Sequence, residues 1–143
     1  MLYTTFLIVH SWLRWLVLIA GVVAVARGGS RNDNAGRLFV TFLDVQMLLG
    51  LLLYFWLSPL TTAALQDFGA AMGVPQMRYF AVEHVFGMII AIALAHIGRG
   101  KVRKAPEHRR ARTAAIFYGL ALLAILISIP WPGMPAARPL FRF

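Results

Sequence analysis

The chain has 143 residues, of which 60% are hydrophobic and only 13% are charged. A typical soluble domain is about 45–50% apolar and about 25% charged, so this composition excludes most soluble folds and indicates a chain whose surroundings are lipid. The formal net charge is nevertheless +9. Cysteine is absent, which excludes disulfides, thiolate metal sites and covalent haem attachment through a Cys-x-x-Cys-His motif.

Four apolar segments are long enough to cross a bilayer as helices. A spanning helix needs about 20 mainly apolar residues, and the chain has such segments at residues 4–26, 38–57, 79–98 and 113–129. None of them shows the period-two alternation of a barrel strand, and lipid-exposed backbone must satisfy its own hydrogen bonds. The sequence therefore predicts an all-α integral membrane four-helix bundle with up-down topology, a single transmembrane domain over residues 1–143.

The first apolar segment also contains a candidate cleavage motif. Ala24-Val25-Ala26 has the small-x-small pattern of a signal-peptidase site. However, no basic residue precedes the apolar run, the run is long for a signal peptide, and Arg14 interrupts it. We therefore expect the segment to be a spanning helix and not a leader that is removed.

The basic residues predict how the bundle is oriented. Ten of the 14 Lys and Arg residues lie in two predicted loops, Arg27 to Arg37 and Arg99 to Arg112. By the positive-inside rule both loops face the cytoplasm. Both termini and the connection over residues 60–78 are then expected outside, and the protein is expected to be a multi-pass protein of a bacterial inner membrane.

The second basic loop has two candidate partners. Its charge would suit nucleic acid, but a short loop tied between two membrane helices is better explained as a topology signal with affinity for anionic lipid headgroups. We expect the loop over residues 99–112 to contact lipid headgroups and no nucleic acid.

Ionisable side chains inside the predicted spans are the candidates for function. Each costs about 2.5–3.5 kcal/mol at a helix centre on insertion scales. They are His10, Arg14, Asp44, Glu83 and His84. At the helical rise, His10 lies about 9 Å and His84 about 7.5 Å inside the outer ends of the first and third helices, so the two imidazoles are expected at nearly the same level.

This shared level permits a single bis-histidine haem. The first and third helices run in the same direction and could stand diagonally in a four-helix bundle, and a haem iron takes two axial ligands, often neutral histidines. Met88 continues the His84 face at helical spacing, and Arg14 could pair with a haem propionate. A structural interpretation competes with this one: Arg14 and Glu83 form a buried ion pair that fixes helix register, and the histidines hydrogen-bond to other helices.

A second polar group is predicted nearer the cytoplasmic side. Asp44 lies about 9 Å inside the second helix, and with Gln46 and His96 it could form an inner cluster suited to proton uptake or to a quinone headgroup. Structurally, Asp44 could instead accept hydrogen bonds or pair with Arg99. In that interpretation His96 is a hydrated histidine at a helix C-terminus.

Four stretches of the sequence carry a family resemblance. They are HSWLRWLVL from His10, DVQMLLGLLLY from Asp44, MRYFAVEH from Met77 together with Ala95-His96-Ile97-Gly98, and SIPWP from Ser128. Together they resemble a group of small bacterial four-helix membrane proteins of Bacteroidetes and related phyla, labelled cytochrome b-like. The resemblance extends over nearly the whole chain, and it implies haem binding, with His10, Arg14, Glu83 and His84 at the matching positions.

The leading hypothesis is therefore a membrane electron-transfer protein that binds one haem b between His10 and His84. Quinone or a larger respiratory or photosynthetic complex would be its redox partner, and the chain would be an electron carrier or a subunit more than a stand-alone enzyme. The alternative is a cofactor-free accessory subunit of such a complex. The proline-rich segment over residues 130–143 is expected to be exposed and to contact another membrane subunit.

Overall fold

The computed structural model describes residues 1–142, and the part of the chain that it describes is helical with no β-strand. Four spans are long and apolar enough to cross a membrane: Leu2–Arg27, Asn34–Leu57, Pro75–Lys104 and Glu107–Ser128. The most apolar window of each span has a mean hydropathy of 1.8 to 2.0. The predicted all-α class with four long apolar helices is therefore confirmed.

Seven α-helices and two π-helical turns make up the described chain. In chain order they are α1 (Leu2–Arg27), α2 (Asn34–Leu52), a π turn (Leu53–Leu57), α3 (Pro59–Gln66), α4 (Phe68–Met72), α5 (Pro75–Arg78), a second π turn (Tyr79–Glu83), α6 (His84–Lys104) and α7 (Glu107–Ser128). The first π turn continues α2, and the second joins α5 to α6 in one continuous span.

The prediction of a basic loop over residues 99–112 is wrong, because almost all of these residues are helical. Residues 99–104 belong to α6 and residues 107–112 to α7, so only Ala105 and Pro106 connect the two helices. Lysine and arginine are good helix formers, and their charge is favourable at a helix C-terminus. The turn lies at Pro106, because the residue before a proline disfavours helical backbone angles. That residue, Ala105, is extended at φ −69° and ψ 145°.

The helices form a ring in which α1 and α6 are diagonal. α1 packs mainly against α2 and α7, and α6 packs mainly against α7 and α2. The two histidine-bearing helices therefore face each other across the centre of the bundle, as the sequence analysis anticipated. We call the end that holds Met1, α3 and residues 130–142 the terminal end, and the opposite end, with residues 28–33 and 105–106, the basic end.

A buried polar contact closes the basic end. The hydroxyl of Tyr118 on α7 donates to Oδ2 of Asp33, which is 1% exposed and has a left-handed backbone at φ 42°. A side chain at Gly36 would collide with both groups. Glycine at this position therefore lets the start of α2 approach α7 closely.

Residues 130–142 fold back over α1, and we call them the C-terminal strap. The carbonyl of Leu140 accepts from Arg14 Nη2 at 2.6 Å and from Trp15 Nε1 at 3.4 Å. The ring of Phe141 stacks on Trp15 with centroids 5.4 Å apart and an interplanar angle of 15°. The strap is partly exposed, as expected, with Phe141 50% exposed, but its carbonyl and aromatic groups also contact the chain's own first helix. The expected contact with another membrane subunit stays a prediction. The last residue of that predicted segment, Phe143, lies outside the described residues.

Candidate functional site

A cavity of about 150 Å³ lies between the helices toward the terminal end. Most of its lining is apolar. Its ionisable lining residues are His10, Arg14, His84, Arg138 and Arg142, with Tyr3 and Tyr54 as the phenols.

His84 is held in one orientation by the end of α7. Its Nδ1 lies 2.7 Å from the backbone carbonyl oxygen of Ser128, and the hydroxyl of Tyr79 donates to the same oxygen at 2.8 Å. Ser128 is the last residue of α7, so this carbonyl has no partner within its own helix. In a neutral imidazole, an Nδ1 that faces a carbonyl carries the proton, and the lone pair is then on Nε2. Nε2 is therefore the nitrogen that could bind a metal.

His10 is positioned by α2. The side-chain amide of Gln46 donates to the backbone oxygen of His10 at 2.9 Å. One turn further along α2, a Cβ at Gly50 would lie only 3.3 Å from Cε1 of His10, so glycine leaves the imidazole its space. Within the described residues, His10 Nδ1 is buried without a hydrogen-bond partner. A buried polar atom of this kind is costly until it gains a hydrogen-bond partner.

The two histidines stand at matching depth on opposite sides of the cavity. His10 lies eight residues after the start of α1, about 12 Å along the helix, and His84 lies nine residues after the start of α5, about 13 Å along its span. Both depths exceed the sequence-based values because both spans begin earlier than predicted. Met88, one turn after His84, also lines the cavity.

Two π turns border the cavity at the terminal end. Leu53 and Tyr54 of the first turn and Phe80 of the second line it. The hydroxyl of Tyr54 donates to the backbone oxygen of Ala81 at 2.9 Å and so ties the two turns together. Such turns are rare and frequently lie at functional sites. The sequence analysis did not predict them.

The predicted Arg14–Glu83 ion pair is wrong. Glu83 Oε1 instead accepts from Nε of Arg78 at 2.8 Å, because the π turn between them joins residues five apart on one side of the helix. Arg14 is directed to the strap carbonyl of Leu140.

Two further arginines belong to the cavity lining, although the sequence indicated them only as charges on the outer side. Arg138 and Arg142 of the strap line the cavity with Arg14. The guanidinium of Arg138 lies 4.9 Å from the ring centroid of Phe80. Arg138 and Arg142 are four residues apart in the sequence, with Pro139 between them. This spacing does not indicate that the strap returns to the cavity.

The second predicted polar group is only partly assembled. Asp44 Oδ1 and His96 Nε2 are 2.8 Å apart, and their side chains are 42% and 52% exposed. Asp44 lies about 15 Å from the start of α2, and His96 about 12 Å from the end of α6. His96 is therefore not at a helix end, because α6 continues to Lys104. Asp44 pairs with His96 and not with Arg99.

Gln46 does not belong to this pair. Its side chain is buried, bonds to His10 and lines the cavity. Two residues along a helix correspond to about 200° of rotation, so Asp44 and Gln46 face opposite sides of α2.

Together, the fold and the cavity define a four-helix protein with helices of membrane-spanning length and an imidazole-lined and arginine-lined cavity at one end. No protein-family model, no curated protein and no solved structure matches the chain. Within residues 1–142, no group of three or more His, Asp or Glu side chains could hold a metal ion. The family resemblance and the haem stay predictions, and the metal prediction depends on His10 and His84 alone.

Proposed function

We propose that the protein is a membrane electron-transfer protein that binds one haem b between His10 and His84. The observation that carries this proposal is the placement of two imidazoles, from diagonal helices, on the lining of one cavity, with His84 fixed through Nδ1. When bound, the haem supplies reversible one-electron chemistry at its iron.

The chain's own residues fit such a group. The carbonyl of Ser128 orients His84 and increases the basicity of its Nε2. Gly50 keeps space beside His10, and Gln46 fixes the backbone that carries it. The apolar remainder of the lining excludes water from the ligand.

We also propose how the bundle is placed. Four apolar helices are compatible with a multi-pass membrane protein, and the concentration of Lys and Arg at the basic end supports a cytoplasmic position for that end in a bacterial inner membrane. The cavity then opens toward the outer side. We propose that the basic residues near the connection between α6 and α7 bind anionic lipid headgroups.

An absorption spectrum of the purified protein tests the haem proposal. From cells with an adequate haem supply, we expect a dithionite-reduced spectrum with b-type bands and one haem per chain by pyridine haemochrome assay, because the cavity holds one facing pair of histidines. A reduced spectrum without those bands would reject the haem and favour the cofactor-free accessory subunit.

The pair of Asp44 and His96 supports a second part of the proposal. It is ionisable, deep within two spans and exposed on the outside of the bundle, where such groups are costly and commonly functional. We propose that it binds the headgroup of a quinone dissolved in the bilayer. When a quinol there is oxidised to the quinone, its two electrons would pass one at a time to the proposed haem and its two protons to this pair. An imidazole N–H can donate to a quinone oxygen, and a carboxylate can accept from a quinol hydroxyl.

Replacing either member of that pair should slow quinol oxidation without disturbing the haem. For Asp44→Asn and His96→Leu we expect the rate of haem reduction by a short-chain quinol to fall about 10²-fold or more, as the loss of a general base commonly does. The absorption spectrum should be unchanged. His108→Ala, which removes an exposed imidazole near the basic end, is the control, and an unchanged rate in both pair variants would contradict the quinone site.

A further inference from the structure

The mouth of the cavity gathers positive charge. Arg14 comes from α1, and Arg138 and Arg142 come from the C-terminal strap. All three side chains belong to half-buried residues, and the charges of Arg14 and Arg142 repel each other. Within residues 1–142, Arg78 is the one arginine that forms a salt bridge, with Glu83, so no carboxylate of the described chain forms a salt bridge with the three guanidinium groups.

Backbone contacts of the strap hold Arg138 and Arg142 at this position. The backbone N–H of Arg138 donates to the carbonyl of Pro130 at 3.1 Å. Further along, Phe141 stacks on Trp15, and Trp12 Nε1 donates to the backbone oxygen of Arg142 at 2.9 Å. The backbone of the strap therefore places Arg138 and Arg142 on the cavity lining, although the charges of Arg142 and Arg14 repel each other. Preorganised like charges of this kind favour an anion between them.

The surroundings of the three arginines also indicate what kind of anion would fit. Arg138 lies over Phe80, whose ring is 6.0 Å from the imidazole of His84. Below the arginines, the cavity is mostly apolar. A ligand that satisfies both regions has a large apolar body and acidic groups at one edge.

We propose that the C-terminal strap is the anion-binding element of the site, in which Arg138 and Arg142 act with Arg14 to bind the carboxylates of the cofactor. This inference rests on the proposed function. Arginine binds carboxylates through paired, charge-assisted hydrogen bonds. Arg14, Arg138 and Arg142 would then hold the cofactor by its carboxylates, and those carboxylates would neutralise the cluster.

The test compares iron protoporphyrin IX with its dimethyl ester, which lacks the two carboxylate charges. The haem-free protein in detergent is titrated with each and followed by the low-spin absorption bands. We expect the free acid to bind roughly tenfold to a hundredfold more tightly than the ester, since hydrogen bonds to charged groups are the strong ones. Arg138→Gln and Arg142→Gln should weaken binding of the acid and leave binding of the ester unchanged.

Arg78→Gln is the matched control, because Arg78 is at the same end but outside the cavity lining and already has a carboxylate partner. Arg138→Lys should recover part of the preference for the acid. Hydrogen exchange of the strap amides gives a second measurement: the acid should protect them in the unaltered protein, and the ester should protect them less.

The possible results separate this inference from the proposed function. Equal low-spin binding of acid and ester would overturn the role of the strap and leave the haem in place. An equal loss of both ligands in the arginine variants would also overturn it, since the arginines would then act through folding. Protection of the strap by phosphatidylglycerol but by neither porphyrin would assign the cluster to lipid phosphate. No binding of either porphyrin to the unaltered protein would reject the proposed function itself.

Discussion

Replacing either His10 or His84 with alanine is expected to abolish low-spin haem binding completely. Each imidazole would supply one of the two axial ligands, and no third histidine lines the cavity within residues 1–142. Neither loss can therefore be compensated by a neighbour. The measurement is the reduced absorption spectrum, with electron paramagnetic resonance of the oxidised protein to separate low-spin from high-spin iron.

Two controls distinguish ligation from folding. His96→Ala removes the imidazole paired with Asp44 outside the cavity and should leave the low-spin spectrum unchanged. For His84→Gly, added imidazole should restore the low-spin bands, because a small exogenous ligand can occupy the space that the side chain leaves. Loss of the bands in His96→Ala alone would overturn the ligand assignment.

The four long helices were predictable from the sequence because each apolar segment is about as long as a helix that spans a bilayer. The ends of the helices were not predictable from hydropathy. An apolar segment ends where Lys, Arg and Glu begin, but these residues can continue the helix. α7 accordingly begins at Glu107, six residues before the predicted start at residue 113. The short helix α3 had a local signal that was not used: Ser58 caps it through its hydroxyl, and Pro59 occupies the first position.

Within the site, the depth of the two histidines was predictable from the sequence, but the partners of Arg14 and Glu83 were not. The level of His10 and His84 depends only on a rise of about 1.5 Å per residue, which hardly varies. The choice of partner for Arg14 or Glu83 depends on helix rotation. A π turn changes that rotation for every residue that follows it, and the turn before His84 has no sequence signature. The strap arginines depend on contacts with Trp12 and Trp15, more than 120 residues away in the chain.

Gln46 shows an error that the sequence itself could have prevented. Its spacing from Asp44 already places the two on opposite faces of a helix. The same rotation places Gln46 and Gly50 on the face that meets His10. Helical phase therefore separates Gln46, on the cavity side of α2, from Asp44 on the outer side.

The close packing of α6 on α7 predicts that Gly87→Ala is damaging to both the bundle and the site. A Cβ at Gly87, three residues after His84, would overlap Ser128 Oγ and lie 3.0 Å from Ser128 Cβ. Rotation of the Ser128 hydroxyl would relieve the first contact but not the second, so the end of α7 is expected to shift, and with it the carbonyl that holds His84 and Tyr79. We expect a loss of about 1–3 kcal/mol in the free energy of unfolding, as for other overpacked sites, measured by denaturation with sodium dodecyl sulfate in mixed micelles.

The same variant should weaken haem binding, because His84 loses the acceptor that fixes its tautomer and orientation. Gly100→Ala is the matched control on the same helix: a Cβ there meets no atom within 4 Å, so alanine should be neutral or stabilise the helix by about 0.5–1 kcal/mol. Adding Ser128→Gly to Gly87→Ala removes the overlapping atoms and should restore much of the stability and the low-spin spectrum. If the double variant recovers stability but not haem binding, the carbonyl of Ser128 does not position His84. If Gly87→Ala is as stable as Gly100→Ala, α6 and α7 are not packed as closely as described here.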